Sequence, residues 1–191
     1  MTENDYLKSC FNEIAQIWVR SQSVEIARLT SLAKRVFGLL EHGGTLAFAG
    51  NGGSASEANH LAAEFVGRCV LEHQALKSIS LSANNSVLTS IMNDYGAEKI
   101  FSRQVEGLLD SSSLLIGLST SGKSANVLQG LKKAKEKGIY TVLWTGASQS
   151  ASLDYVDEIW RVSSFSTPRI QEVHLVWGHL LAELVERRLQ E

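Results

Sequence analysis

The stretch GTLAFAGNGGSASEANHLAAEF, from Gly44 to Phe65, decides the fold because it predicts a strand, a turn and a helix in direct succession. Thr45 to Ala49 is short and apolar, as is typical of a buried strand. Gly50 to Gly53 can form a turn that enters left-handed conformations, and Ser54 is the expected helix N-cap. The rest of the chain is predicted to complete this unit.

The predicted helix of this stretch has two features that point to chemistry. Its first turn presents unpaired backbone N–H groups to an anion. His60 and Glu64 stand four residues apart and therefore share one face of the helix. The pair could hold a metal ion or move a proton.

Length and composition favour one soluble globular domain. The chain has 191 residues, 20% of them charged, and a formal net charge of −2. This balance argues against a nucleic-acid or membrane surface. Cys10 and Cys69 are too few for a disulfide framework, and the polar start MTENDYLKSC is not typical of a signal peptide. We therefore expect a reduced, cytoplasmic protein.

The first forty residues predict two amphipathic helices that end at Gly43 and Gly44. Their apolar positions are Leu7, Phe11, Ile14, Ile17 and Trp18, followed by Ile26, Leu29, Ala33, Val36, Phe37 and Leu40. These helices precede the first strand and have no obvious sheet to cover alone. Their apolar surface is expected to pack either against another subunit or against the rest of the domain.

The remainder of the chain alternates strands with helices. The predicted strands are Ser78–Ser82, Ser113–Leu118, Tyr140–Trp144 and Glu158–Val162. Helices are predicted through Leu88 and Ile91, over Ala97–Leu108, after Ser124 and after Pro168, with a turn at Asn93–Gly96. This alternation indicates a parallel sheet covered by helices on both faces.

Two serine-containing turns follow strands of that sheet, Asn51–Ser54 and Ser119–Ser124. Ligands of such sheets bind at the carboxyl ends of the strands, where both turns are expected. Hydroxyls beside two helix N-termini suit a phosphate. The first turn lacks the spacing and lysine of a nucleotide-binding P-loop, Lys123 has no such frame, and no GxGxxG follows the first strand.

The last predicted helix starts with Thr167 as N-cap and Pro168 at its first position. Gln171 and His179 are two turns apart and can share a stripe, but Glu172 and His179 align at least as well. Spacing therefore does not decide whether Gln171 or Glu172 shares a stripe with His179. A lone histidine on this helix is expected to be a core or interface residue. His42 and His73 have polar or loop neighbours and are expected to be exposed.

Four ordered blocks carry a family resemblance. The blocks are GNGGSASEANHLAAEFVGR, SIMNDYGAEKIFSRQVE, GLSTSGKSANVLQGLKKAKEKG and RIQEVHLVWGH. They resemble the corresponding blocks of bacterial phosphoheptose isomerases, which convert sedoheptulose 7-phosphate and belong to the sugar isomerase (SIS) domain superfamily. The similarity covers most of the chain, and four blocks at matching separations are more specific than any single motif.

The resemblance implies a flavodoxin-like α/β three-layer sandwich with a central parallel sheet. It implies a single SIS domain over residues 1–191, whose N-terminal helical extension, residues 1–42, packs at the interface of a homotetramer. The implied partner is a phosphorylated seven-carbon sugar, bound at sites between subunits, and neither nucleic acid nor a membrane is implied.

The resemblance also implies roles for particular residues. Glu64 and His179 match the proposed base and acid of the family. His60, Glu64, Gln171 and His179 match its zinc site, which implies one Zn²⁺ per subunit. The matching substrate-binding positions are Asn51, Gly52, Gly53, Glu64, Asn93, Asp94, Ser119, Thr120, Ser121, Ser124 and Gln171.

These residue types suit the interconversion of a ketose and an aldose, which moves a proton from C1 to C2. A carboxylate such as Glu64 can carry that proton, and His179 can serve the oxygens. Zinc could stabilise the enediolate or shape the site. A glutamate bound tightly to zinc is a poorer base, so we expect an open coordination position or a movable Glu64.

The sequence departs from the family pattern at three places. Asn84 stands where many relatives have aspartate, Pro168 replaces a small or acidic residue, and Gly146–Asp154 lacks a glycine-rich loop. These changes leave the acid, base and ligands in place but affect which sugar fits. The alternative function is a non-catalytic paralogue that binds a phosphosugar or a protein such as the replication initiator; a small residue at the position of Glu64 would favour the latter.

Overall fold

The computed structural model describes residues 1–148 and 152–191 and contains the predicted parallel sheet. Its five strands are β1 (Thr45–Gly50), β2 (Ser78–Ser80), β3 (Ser113–Ser119), β4 (Tyr140–Gly146) and β5 (Glu158–Val162). They pair in parallel in the order β2-β1-β3-β4-β5, which is the flavodoxin-like order. The prediction of fold class is confirmed, and β2 is shorter than predicted.

The N-terminal prediction of two helices is wrong. The described residues form α1 (Glu3–Glu41), α2 (Gly53–Val66), α3 (Asn85–Tyr95), α4 (Ile100–Leu108), α5 (Ala125–Glu136) and α6 (Thr167–Leu189), with a 3₁₀ turn at Ala97–Lys99 before α4. Helix α1 runs through Ser21–Ser23, where no glycine or proline interrupts it. The Ser21 hydroxyl donates to the carbonyl of Ile17 within the helix, so this polar segment does not break it.

Three local predictions of helix and turn boundaries need correction. Gly52, at φ 55°, is the N-cap of α2, while Ser54 lies buried inside the first turn. Ser166, not Thr167, caps α6, which places Pro168 in the first turn. Asn93–Tyr95 form the last turn of α3, and the turn itself is made by Gly96 at φ 92°. Gly52 and Gly96 adopt backbone angles that other residues rarely reach.

Two of the departures from the family pattern have local explanations. The Asn84 side chain caps α3 by accepting a hydrogen bond from the N–H of Val87 at 3.2 Å. Pro168 occupies a first-turn position where a helix does not need an N–H donor. The third departure, Gly146–Asp154, includes residues 149–151, which lie outside the described part of the chain.

The core has two parts, one on each face of the sheet. Helices α1, α2 and α6 cover one face, where Trp144, Trp160 and Trp177 pack against one another with ring centroids 5.3–5.8 Å apart. Helices α4 and α5 cover the other face around Phe101 and Leu131. Within residues 1–148 and 152–191, we find no helix long and apolar enough to cross a membrane.

Candidate active site

The predicted site residues gather where β1 and β3 end. The two strands are neighbours, with Gly50 paired to Leu118, and the chain leaves β1 for β2 on one side and continues from β3 to β4 on the other. This reversal creates a crevice at the carboxyl edge of the sheet, where parallel α/β folds bind ligands. Helices α2 and α5 start at this edge.

The first turn, Asn51–Gly53, leads into the N-terminus of α2. Its N-cap, Gly52, has no side chain with which to cap the first N–H groups. Asn51 exchanges two amide hydrogen bonds with Asn126 on α5, of 2.8 and 2.9 Å. Asn126 therefore ties the two turns together. Sequence reasoning missed this residue, although its position in the first turn of a helix after a serine-rich segment is a usable signal.

The second turn, Ser119–Ser124, folds on itself through its hydroxyls. Ser119 donates to the hydroxyl of Ser124 at 2.9 Å, and the N–H of Lys123 donates to the hydroxyl of Ser121 at 3.1 Å. The N–H of Gly146 on β4 donates to the carbonyl of Thr120. Ser124, the N-cap of α5, makes no side-chain cap, so the start of α5 keeps N–H groups for an anion.

The imidazole and carboxylate groups of α2 and α6 meet in one cluster. Nε2 of His60 lies 2.8 Å from Nε2 of His179 and 3.2 Å from a carboxylate oxygen of Glu64. The two rings meet edge to face, with centroids 5.0 Å apart. The side chain of His60 is 48% exposed and that of Glu64 is 16% exposed. The cluster is thus open to solvent on one side.

The donor set of this cluster fits zinc. Two imidazole nitrogens and one carboxylate oxygen lie within 4.8 Å of one another. Ligands about 2.0–2.1 Å from a tetrahedral Zn²⁺ stand about 3.3 Å apart, close to the separations observed here. A His₂Glu set leaves the fourth position open, as in catalytic zinc sites.

A close approach of α2 and α6 holds the cluster together. Gly178 has no side chain, and a Cβ built there would lie 2.1 Å from Cδ2 of Leu61 on α2. The contacts between the helices advance in the same direction along both: Gln171 meets Ser54, and His179 meets His60. The two helices therefore run parallel, and Gly178 allows their side chains to meet beside His179.

The structure also distinguishes Gln171 from Glu172, the two alternatives that spacing left open on α6. The amide of Gln171 points toward α2, with Nε2 3.5 Å from the hydroxyl of Ser54 and against Gly53. Glu172 is paired instead with Arg169 on α6 itself. Gln171 thus faces the first turn of α2, about two helical turns along α6 from His179.

Two predicted substrate-binding residues lie apart from the cluster. Asn93 donates to the carboxylate of its neighbour Asp94 at 2.7 Å, at the exposed end of α3. Helix α3 packs on the 3₁₀ turn and α4. The contacts of this pair within the described chain are therefore local.

The other histidines differ in environment. His42 is exposed, as predicted. The prediction that His73 is exposed is wrong, because its side chain is only 2% exposed and contacts Glu186 on α6. His174 is fully buried between Trp144 and Trp177, and this burial lowers its pKa to about 3. His174 is thus a core histidine, as expected on the last helix, but within the described residues its two ring nitrogens have no hydrogen-bond partner, whereas a satisfied ring was expected.

Two further ionisable groups lie beside the cluster. Burial raises the pKa of Glu57 to about 7 against the opposing hydrogen bond from Ser54, and one Glu57 oxygen is buried without a hydrogen-bond partner. Burial, followed by the charges of Glu64 and Glu186, raises the pKa of the Cys69 thiol to about 12. The Cys69 thiol therefore stays protonated at physiological pH, whereas the Glu57 carboxyl changes its charge near pH 7.

Comparison with known proteins gives a consistent assignment. The profile of the SIS domain family matches residues 9–146. A phosphoheptose isomerase of Roseiflexus sp. (strain RS-1) is 44% identical over 179 residues, which cover 93% of this chain and 91% of that protein. A second, from Thermodesulfovibrio yellowstonii, is 38% identical over 191 residues, covering 100% and 95% of the two chains.

Solved structures agree with the sequence relatives. The phosphoheptose isomerase of Neisseria gonorrhoeae superposes with a TM-score of 0.87 at 30% identity, over 97% of this chain and 100% of that one. That of Francisella tularensis gives 0.89 at 28% identity, over 98% and 100%. The chain belongs to the phosphoheptose isomerase family of SIS-domain proteins.

Proposed function

We propose that the protein isomerises D-sedoheptulose 7-phosphate to D-glycero-D-manno-heptose 7-phosphate through an enediolate. The observation that carries this proposal is the cluster of His60, Glu64 and His179 beside two phosphate-compatible turns at one edge of the sheet. A base, an acid and an anion site are the parts that a sugar-phosphate isomerase requires.

The proton transfer is assigned to Glu64 and His179. The Glu64 carboxylate removes a proton from C1 of the ketose and returns it to C2. His179, facing it from α6, exchanges protons with the substrate oxygens, on which negative charge develops. General acid–base catalysis of this kind contributes about 10²- to 10⁴-fold to a rate.

The phosphate is assigned to the second turn, which offers Ser119, Thr120, Ser121 and Ser124. Its hydroxyls and the N-terminus of α5 give a phosphate hydrogen-bond donors and a favourable helix dipole. Asn51, Gly52 and Gly53 are assigned to the sugar. Holding the phosphate at a distance from the reacting carbons places C1 and C2 against Glu64 and His179.

One Zn²⁺ per subunit is assigned to His60, Glu64 and His179, with Gln171 as the fourth ligand. Such an ion, when bound, stabilises negative charge on the substrate oxygens. Gln171 contacts Ser54 in this structure, so its side chain would have to turn toward the cluster to become a ligand. Glu64 would have to leave the ion, or share it weakly, to act as the base.

A homotetramer with sites between subunits is part of the proposal, with residues 1–42 at the subunit interface. Helix α1 supports it because its outer surface is apolar: Leu7, Phe11, Val19 and Ile26 are each more than half exposed. An exposed apolar face of this kind is typical of an interaction surface. Asn93 and Asp94 would then act at a site completed by a neighbouring subunit.

The place of the reaction is proposed to be the cytoplasm, where the product would supply heptose for lipopolysaccharide, capsule or another glycan.

The test compares wild-type protein with Glu64→Gln on sedoheptulose 7-phosphate, with zinc supplied. Wild type should form the aldose phosphate, whereas Glu64→Gln should bind the phosphosugar with little change in Kd and show no turnover. Activity of Glu64→Gln would remove Glu64 as the base. Binding without turnover by wild type would favour the alternative function, a binding-only paralogue.

A further inference from the structure

Glu186 is buried on α6 at the end of the α2–α6 contact that holds the cluster. The residue is 1% exposed and lies seven positions after His179, which puts both side chains on one stripe of α6. Its two carboxylate oxygens accept backbone N–H bonds from Cys69, Val70 and Leu71, at 2.6–3.3 Å. These three residues lie just after α2, which ends at Val66 with Gly67 as its C-cap.

His73 completes the surroundings of this carboxylate. Its Nδ1 lies 2.7 Å from the carbonyl oxygen of Gln74 and its Nε2 lies 3.2 Å from Glu186. The Nε2 atom of His73 is buried and makes no hydrogen bond within the described part of the chain, so its contact with Glu186 is one of proximity. Burial favours a higher pKa of Glu186, but the N–H groups of Leu71, Cys69 and Val70 outweigh it and, with His73, hold that pKa below its usual range. The Glu186 carboxylate is therefore held by three backbone N–H groups, with the buried ring of His73 beside it.

From this geometry we propose that Glu186 and His73 are positioning residues for the isomerase reaction: they fasten the segment after α2 to α6 and so hold Glu64 against His179. The inference rests on the proposed function. Contacts tie α6 to α2 and its following segment at three levels, through Gln171, His179 and Glu186. Glu64 lies between the second and third levels, in the last turn of α2.

Cys69 links the fastened segment to the base itself. Its N–H donates to Glu186, while burial and then the charge of Glu64 raise the pKa of its thiol. Leu76 further along the segment donates its N–H to the carbonyl of Phe65, the residue after Glu64. Release of the segment from α6 would therefore free the backbone and the side chain around Glu64 together.

The test uses Glu186→Gln, which keeps the volume of the side chain but replaces one acceptor oxygen by a donor facing backbone N–H groups. We expect kcat to fall about 10-fold or more, since a displacement of about 1 Å at a reacting group can cost about 100-fold. The KM should change less than about threefold, because the phosphate turn lies on other elements. His73→Arg, which places N–H donors beside Glu186, should retain kcat, whereas His73→Leu should lose it to the extent that Glu186→Gln does.

A control separates positioning from general stability. Val105→Ala makes a cavity in the core on the opposite face of the sheet and should lower Tm with kcat retained. Equal kcat for Glu186→Gln and Val105→Ala, at matched loss of Tm, would overturn the proposal, as would equal kcat for the arginine and leucine variants of His73.

The ring NMR signals of His60 and His179 provide a readout independent of turnover. Their chemical shifts should change in Glu186→Gln and stay the same in Val105→Ala. A wild-type protein inactive on sedoheptulose 7-phosphate would refute the proposed function, and these signals would still decide whether the pair positions the cluster. Unmoved signals in Glu186→Gln would refute the positioning role.

Discussion

Replacing Gly178 by alanine tests whether the close approach of α2 and α6 sets the geometry of the site. The added Cβ would lie 2.1, 2.6 and 2.9 Å from three side-chain carbons of Leu61, whereas ordinary contact begins at 3.4 Å. Leu61 is fully buried, and the close packing of a core leaves such a side chain little room to change its rotamer. The helices must therefore separate by up to about 1.3 Å beside His179, the difference between the ordinary and the shortest of these distances.

The expected effect on activity is larger than that on stability. Overpacking a core costs about 1–3 kcal/mol, and replacing glycine by alanine inside a helix returns about 1 kcal/mol, so the free energy of unfolding should fall by about 0–2 kcal/mol. A misplacement of about 1 Å at a catalytic group can lower the rate about 100-fold. We expect kcat/KM to fall by about 10- to 100-fold.

Gly38→Ala is the matched control for this variant. Gly38 also lies within a helix, but no atom lies within 4 Å of a Cβ built there. It should gain up to about 1 kcal/mol of stability and keep kcat/KM. Steady-state kinetics and urea unfolding of both variants provide the comparison. A Gly178→Ala protein with wild-type kcat/KM would refute the reasoning that helix spacing sets the site.

Three further variants test the ionisable groups. Glu64→Gln should lower kcat by about 10²- to 10⁴-fold with an unchanged Kd for phosphosugar, measured by calorimetry; turnover at the wild-type rate would contradict this. Burial keeps the pKa of His174 near 3, below the unfolded value of about 6.5, so the unfolded chain binds the proton first and stability should fall by up to about 1.4 kcal/mol per pH unit below pH 6.5. His174→Phe should lessen this loss. Urea unfolding at pH 7 and pH 5 measures it, and an equal fall in the free energy of unfolding for the two proteins would count against the prediction. The pKa of Glu57 is raised to about 7, so its protonated form contributes stability that is lost as pH rises through 7. Glu57→Gln should therefore raise Tm more at pH 8 than at pH 5. An equal change of Tm at the two pH values would contradict a carboxyl that is buried in its neutral form.

The sheet was predictable because short apolar runs and glycine or serine turns are local signals. Strand β5 was placed at the residues it occupies, and the two turns after β1 and β3 were expected at the edge where they lie. The family blocks led to His60, Glu64 and His179, and the structure brings these three side chains together. The continuity of α1 was harder to predict, because Ser21–Ser23 is polar but contains no helix breaker.

The contacts that sequence could not reveal join residues far apart in the chain. His73 has polar neighbours in sequence, and only Glu186, more than a hundred residues later, makes it a buried residue. Asn51 and Asn126 likewise pair across 75 positions. On α6 the spacing allowed both Gln171 and Glu172 to face α2, and the pairing of Glu172 with Arg169 shows which one turns away. These choices depend on packing between elements, which periodicity does not describe.

The most direct test of the central claim is turnover by the purified wild-type protein, run with sedoheptulose 7-phosphate and with sedoheptulose, each with and without a metal chelator. The account predicts an aldose phosphate from the phosphorylated ketose only, and a loss of turnover with chelator that zinc restores. Turnover that persists in chelator would contradict the assignment of zinc. No conversion of any ketose phosphate with zinc supplied would contradict the assignment as an isomerase.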